Sequence, residues 1–222
     1  MNKDTLRFSD LERGVHTLTH DWRNVLNGIN LRIMSAGYAE KPEEHDAELA
    51  EATELIGQAT TQLGAFSRKL SEPRIEAISY PTAFFIEDLS AYLSQQKSMN
   101  ALKVEWKSEV LSRKINIDFL ALSQATLELV ENSLRHLPEE AKLTIYAAEA
   151  DKFLTVSWVE KSSGNLDTSS WGQAPFNTNE RGRMGLGTFF ARRIFEAHGG
   201  RLVYSAKDQS LETKVQIPLE LE

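Results

Sequence analysis

The chain has 222 residues, 41% of them apolar, enough for one large or two modest domains with a buried core. Its formal net charge of −7, with acids and bases interspersed, excludes the basic face that a nucleic-acid surface requires. It has no cysteine, hence no disulfide framework or thiolate metal site, and no apolar run of the ~18 residues that a membrane span needs. The expectation is a cytoplasmic protein with no nucleic-acid partner and no membrane span.

In chain order, Leu11, Val15, Leu18, Trp22, Val25 and Ile29 recur at spacings of 4, 3, 4, 3 and 4, the seam of a helix running from Ser9 to Ala36. At 1.5 Å per residue it is roughly 40 Å long. His20 lies some 200° from the seam residues Leu18 and Trp22, so its imidazole faces solvent, with His16, Asn24 and Asn27 on the same side. Pro42-Glu43-Glu44 starts a second helix, whose seam is Leu49, Ala52, Ile56, Ala59, Leu63, Phe66 and Leu70. Two continuous seams exceed what one hairpin buries, so a four-helix bundle from two chains, a homodimer, is expected.

Between Ser71 and Pro81 the periodicity lapses, which places a linker there and domains at 1–72 and 80–222. The second domain opens with a helix, Thr82 to Met99, then a strand, Lys103 to Glu109, and a helix, Ile117 to His136. Two β-like runs follow, Lys142 to Ala148 and Phe153 to Glu160, paired as a hairpin. Lys161 to Met184 reads as a long loop, and a helix from Leu186 to His198 precedes two final strands, Arg201 to Ala206 and Glu212 to Leu219. Helices alternating with a largely antiparallel sheet give an α+β chain: a helical hairpin followed by a two-layer α/β sandwich.

The run His20-Asp21-Trp22-Arg23-Asn24-Val25-Leu26-Asn27-Gly28-Ile29 resembles the H-box of two-component sensor histidine kinases, with Val25 where a proline is usual. His-Asp-Trp also resembles the kinase-derived histidine phosphotransferases. Glu128-Leu-Val-Glu-Asn132-Ser-Leu-Arg135-His136 is similar to the N-box of the GHKL (Bergerat-fold) ATPases, Ala174-Pro-Phe-Asn-Thr178 to the F-box, and Gly185-Leu-Gly187-Thr188 to the G2 box. Where that family has an Asp-x-Gly-x-Gly box, this chain reads Glu160-Lys-Ser-Ser-Gly164.

The resemblance implies a transmitter core that binds ATP and Mg²⁺, phosphorylates His20 and passes the phosphoryl group to the aspartate of a response-regulator receiver domain, with a separate sensor protein supplying the signal. It implies that Asn132 gives its amide oxygen to the magnesium and that Glu128 orients or deprotonates the attacking group. Arg135, His136, Gly185, Gly187 and Thr188 contact phosphates, and Glu160 and Gly164 stand at the base. Asp21 orients His20 or takes up its proton, and Asn24 positions the return step. Glu160 keeps the acceptor of the usual aspartate one methylene further out, and Ser162 adds a Cβ. Loss of one well-placed charged hydrogen bond costs on the order of 1.5–3 kcal/mol, one to two decades of affinity. The alternative implied function is a phosphotransferase that relays phosphoryl groups between response regulators, with a degenerate ATP site.

Overall fold

The computed structural model describes residues 8–96, 103–111, 113–137, 142–162, 166–178 and 184–220. The chain divides into two compact units. One comprises Met1–Glu72 with Ala174–Leu186, and the other Pro73–Gln173 with Gly187–Glu222.

The first unit is built on a helical hairpin, α1 (Phe8–Tyr38) and α2 (Pro42–Leu70). Helix α1 extends one residue before and two beyond the expected Ser9–Ala36, running through Gly37 to Tyr38, while α2 runs from the expected Pro42 to its last seam residue, Leu70. Proline sits in the first turn of α2, where its missing N–H leaves no bond unmade, with Glu43 and Glu44 beside it at the positive end of the helix dipole. The α2 seam divides in two. Ala52 and Ala59 are buried within the hairpin, whereas Leu49, Ile56 and Leu63, seven residues apart, stay exposed on α2, as do Val15, Leu26 and Ile33 on α1.

The second unit runs β1 (Ile78–Pro81), α3 (Thr82–Ser94), β2 (Lys103–Glu109), β3 (Lys114–Ile117), α4 (Phe119–His136), β4 (Lys142–Ala150), β5 (Phe153–Lys161), α5 (Gly187–Ala197), β6 (Arg201–Lys207) and β7 (Ser210–Pro218). The sheet has the order β2-β4-β5-β7-β6, with β2 parallel to β4 and the other pairs antiparallel. β1 and β3 form a separate antiparallel pair, which the sequence reading lacks. Ile117 therefore ends a strand rather than opening a helix. Helix α4 starts two residues later because Asp118 caps it, Oδ1 accepting from the Ala121 amide at 3.0 Å.

Alternation explains the layers. Leu143, Ile145 and Ala147 of β4, Leu154, Val156 and Trp158 of β5, and Val215 and Ile217 of β7 are buried against Leu122, Ala125, Leu129 and Val130 of α4 and Ala191, Ile194 and Phe195 of α5. The Trp158 indole N–H, which burial would orphan, donates to Ser133 Oγ at 2.8 Å. His198 ties the two helices: its Nδ1 lies 2.7 Å from the Ile194 carbonyl, and its Nε2 accepts from the Asp118 amide at 3.0 Å. Nδ1 then carries the proton. No helix among the described residues is long and apolar enough to cross a membrane.

Candidate functional site

The expected residues fall into two groups, one in each unit. In the first, His20 stands at mid-length on α1 with 62% of its side chain exposed, consistent with the polar face its spacing gives it. Nδ1 is 3.3 Å from Asp21 Oδ1 and 3.4 Å from Asn24 Nδ2. These contacts belong to different tautomers, because Nδ1–H donates to Asp21 whereas only a bare Nδ1 accepts from Asn24. Both neighbours hold the same nitrogen, so Nε2 is the end of the ring presented outward. A small cavity of about 40 Å³ lies on the seam side of α1, lined by Leu18, Asp21, Trp22 and Val25 with Phe66 of α2 and Met184.

In the second unit, Glu128 and Asn132 lie one turn apart on α4. Gly187, the first residue of α5, packs directly on Glu128, where a Cβ would stand 2.6 Å from Oε2. Any larger residue at 187 displaces the carboxylate. Asn132 Oδ1 accepts from Arg135 Nη2 at 2.9 Å, so a cation taking that oxygen displaces the guanidinium. Glu160 follows Leu154, Val156 and Trp158 on the inward face of β5, and is only 6% exposed. Near it lies Tyr204 of β6. Burial pushes the Tyr204 hydroxyl well above its ordinary pKa, against the opposing effects of neighbouring Thr188 and Arg192, and Glu160 raises it further. The Tyr204 ring meets Trp171 edge to face at 5.1 Å, and Arg192 Nη2 donates to the Trp171 carbonyl at 3.0 Å.

The structure thus brings Glu128 to Gly187, and Glu160 to Thr188 around Tyr204. Gly185 belongs to the first unit, with φ +63° and its Cα against the backbone of Asn177. The backbone of His136 ends α4, while its side chain, like Gly164, lies outside the described residues. Tyr204, Arg192 and Trp171 escaped the sequence reading. Tyr204 was detectable by its alternation with Leu202, and Arg192 by its place one turn after Thr188. Trp171 carried no periodic signal. A separate cavity of about 270 Å³, lined by Ile75, Asn116, His198 and Glu220, holds none of the expected residues.

The fit to a magnesium nucleotide can be tested on the donors. Asn132 offers the hard oxygen that Mg²⁺ prefers, whereas the space beside Gly187 at the start of α5 is taken by the Glu128 carboxylate. Glu160, expected to stand at the base, is buried among this chain's own side chains.

No family model matches the chain. Sensor histidine kinase SpaK of Bacillus subtilis is 24% identical over 149 residues, covering 64% of this chain and 31% of SpaK, so the chain spans about a third of that relative's length. Among solved structures, histidine kinase ThkA in complex with response regulator protein TrrA superposes with a TM-score of 0.64 at 18% identity, covering 96% of this chain and 63% of that one. Full-length ShkA in complex with AMPPNP gives 0.60 at 16% identity, covering 92% and 45%. Acinetobacter baumannii histidine kinase AdeS gives 0.58 at 14% identity, covering 91% and 98%. The chain is thus similar in sequence to a sensor histidine kinase, and it shares with these histidine kinase structures the fold of a helical hairpin followed by an α/β domain.

Proposed function

We propose that the chain is a cytoplasmic two-component phosphotransfer protein, a kinase core in which His20 takes a phosphoryl group from MgATP and gives it to the aspartate of a response-regulator receiver domain. The observation that carries this reading is the geometry at His20: an exposed imidazole with Asp21 and Asn24 both at Nδ1 and Nε2 presented outward. The tautomer with Nδ1–H on Asp21 places a lone pair on Nε2, the nucleophile. As the N–P bond forms, positive charge grows on the ring, and Asp21 stabilises it by strengthening its bond to the Nδ1 proton or accepting that proton. Asn24, one turn on, holds a water or the acceptor carboxylate when the phosphoryl group leaves.

Bound MgATP supplies an electrophilic phosphorus and a leaving group. Asn132 would hold the magnesium through its amide oxygen, Glu128 would orient or deprotonate the attacking group, Arg135 and His136 would contact phosphates, and Gly185, Gly187 and Thr188 would receive phosphates around the start of α5. The ThkA complex with a response regulator and the ShkA complex with AMPPNP support the partner and the nucleotide class. In this reading residues 1–72 dimerise and carry the phosphoryl group, and residues 80–222 bind ATP.

The test is labelling of the full chain with γ-labelled MgATP. His20→Gln is expected to abolish incorporation and His16→Gln to retain it, and the converse result removes His20 from the mechanism. A second reading, relay between response regulators without ATP, is favoured by the burial of Glu160 and by the Arg135 guanidinium on Asn132 Oδ1. It is the one to adopt if His20 accepts label from phosphoramidate but not from MgATP.

A further inference from the structure

His16 takes no part in the phosphotransfer reading, yet it stands one turn before His20 on the unbroken helix α1, and both side chains are exposed. Residues four apart on a helix have their Cβ atoms about 5–6 Å apart on one face, the spacing at which two imidazoles close on a single metal ion. The two rings are prepared for this differently. At His20, Asp21 Oδ1 lies 3.3 Å from Nδ1, and the tautomer in which Nδ1–H donates to it leaves the Nε2 lone pair outward. A carboxylate behind a histidine fixes the ring and raises the basicity of its other nitrogen, the arrangement that supports metal-bound histidines. His16 makes no hydrogen bond or ion pair with another described residue, so its ring turns toward His20 without breaking one. Two carboxylates flank the pair, Glu12 one turn before His16 and Asp21 beside His20. Of the guanidiniums within a turn of it, Arg13 is held by Asp10 at 2.8 Å, and Arg23 remains as the opposing charge. Among the described residues no third histidine, aspartate or glutamate joins the two in a metal-holding group, so the rest of the coordination shell would be water.

We propose that His16 and His20 chelate a borderline divalent transition metal, of which Zn²⁺ is representative, and that the bound ion blocks phosphorylation of His20. Imidazole suits Zn²⁺, Ni²⁺ and Cu²⁺, whereas Mg²⁺ takes oxygen, so the pair does not compete for the magnesium of a nucleotide. The second half of the proposal rests on the reading that His20 is the phosphoacceptor. The Nε2 lone pair that attacks phosphorus is the one that the metal takes, and it makes one bond at a time. By linkage, the metal sets the fraction of His20 open to phosphoryl transfer, and a phosphorylated His20 no longer chelates.

The test uses the full chain without a polyhistidine tag. Zn²⁺ alone is titrated by calorimetry while the imidazole signals of His16 and His20 are followed by NMR. Labelling of His20 is then measured with phosphoramidate, a donor that carries no nucleotide for the metal to bind. His16→Gln and His20→Gln are surface changes to a good helix former, so folding is not at risk. Each is expected to weaken Zn²⁺ binding on the order of a hundredfold, the low end of what joining two ligands gains. Zn²⁺ is expected to suppress labelling of the parent and to spare His16→Gln, and Mg²⁺ to leave both labelled. Zinc binding to His16→Gln as tight as to the parent overturns the pair. Zinc that binds through both histidines but leaves labelling unchanged overturns the block. A metal-free chain in which His20 takes label from neither phosphoramidate nor MgATP removes the phosphoacceptor reading and the block with it, while the zinc titration decides the pair on its own.

Discussion

At the scale of single residues, the Tyr204 hydroxyl of the second unit is raised above the ordinary tyrosine value near 10, mainly by burial. The folded state keeps this phenol neutral at a pH where the unfolded chain has lost its proton. The corresponding stability is fully present below about pH 10 and is lost as pH rises beyond it. Tyr204→Phe should therefore flatten the alkaline end of the stability curve and remove the last component of the ultraviolet phenol titration. Tyr80 and Tyr92 are raised as well, through the Asp88 hydrogen bond and burial respectively, and are expected to ionise before it. If the late component persists in Tyr204→Phe, its assignment fails. Glu160 shows how much of this was legible: the period of two places it on the inner face with Trp158, but its companions Thr188, Arg192 and Tyr204 come from α5 and β6, and no local pattern announces them.

At the scale of elements, α4 carries Glu128 and Asn132, so what sets its start also sets their positions. Asp118 does this with both oxygens, Oδ1 on the Ala121 amide and Oδ2 accepting from the Glu76 amide at 3.2 Å. Asp118→Ala is expected to cost about 1–2 kcal/mol, the usual value of a helix cap. That corresponds to a few degrees in the melting temperature, at roughly 2–4 °C per kcal/mol for a unit of this size. Thermal unfolding followed by circular dichroism checks it, and an unchanged midpoint would show that neither bond matters. The strands that escaped the sequence reading, β1 and β3, have four residues each, too few to show a period of two beside Pro81 and Asp118. The β6–β7 turn was placed too wide for a related reason. Asp208 and Gln209 both take positive φ, 50° and 60°, the geometry of a two-residue hairpin that an Asn-Gly pair would have signalled and Asp-Gln does not.

For the whole molecule, the exposed row on the hairpin is the property with the largest consequence. Ile56 and Leu63 are 50% and 47% exposed and stand in line with Leu49, which is the arrangement a second copy would cover in the proposed homodimer. Ile56→Glu leaves a single chain's core untouched but places a charge at that contact, so light scattering should report a monomer for the variant and a dimer for the parent at micromolar concentration. The hairpin's unfolding midpoint should also rise with concentration in the parent and not in the variant. A monomeric parent removes the dimer. The helices, most of the sheet and the solvent-facing position of His20 were decided by the sequence alone, because periods of 3.6 and 2 act through neighbours along the chain. The division of the α2 seam into a buried and an exposed half, the seating of Phe176 on Gly14, the approach of Gly187 to Glu128 and the burial of Glu160 were decided only by tertiary structure, because each depends on which distant side chain fills a given space.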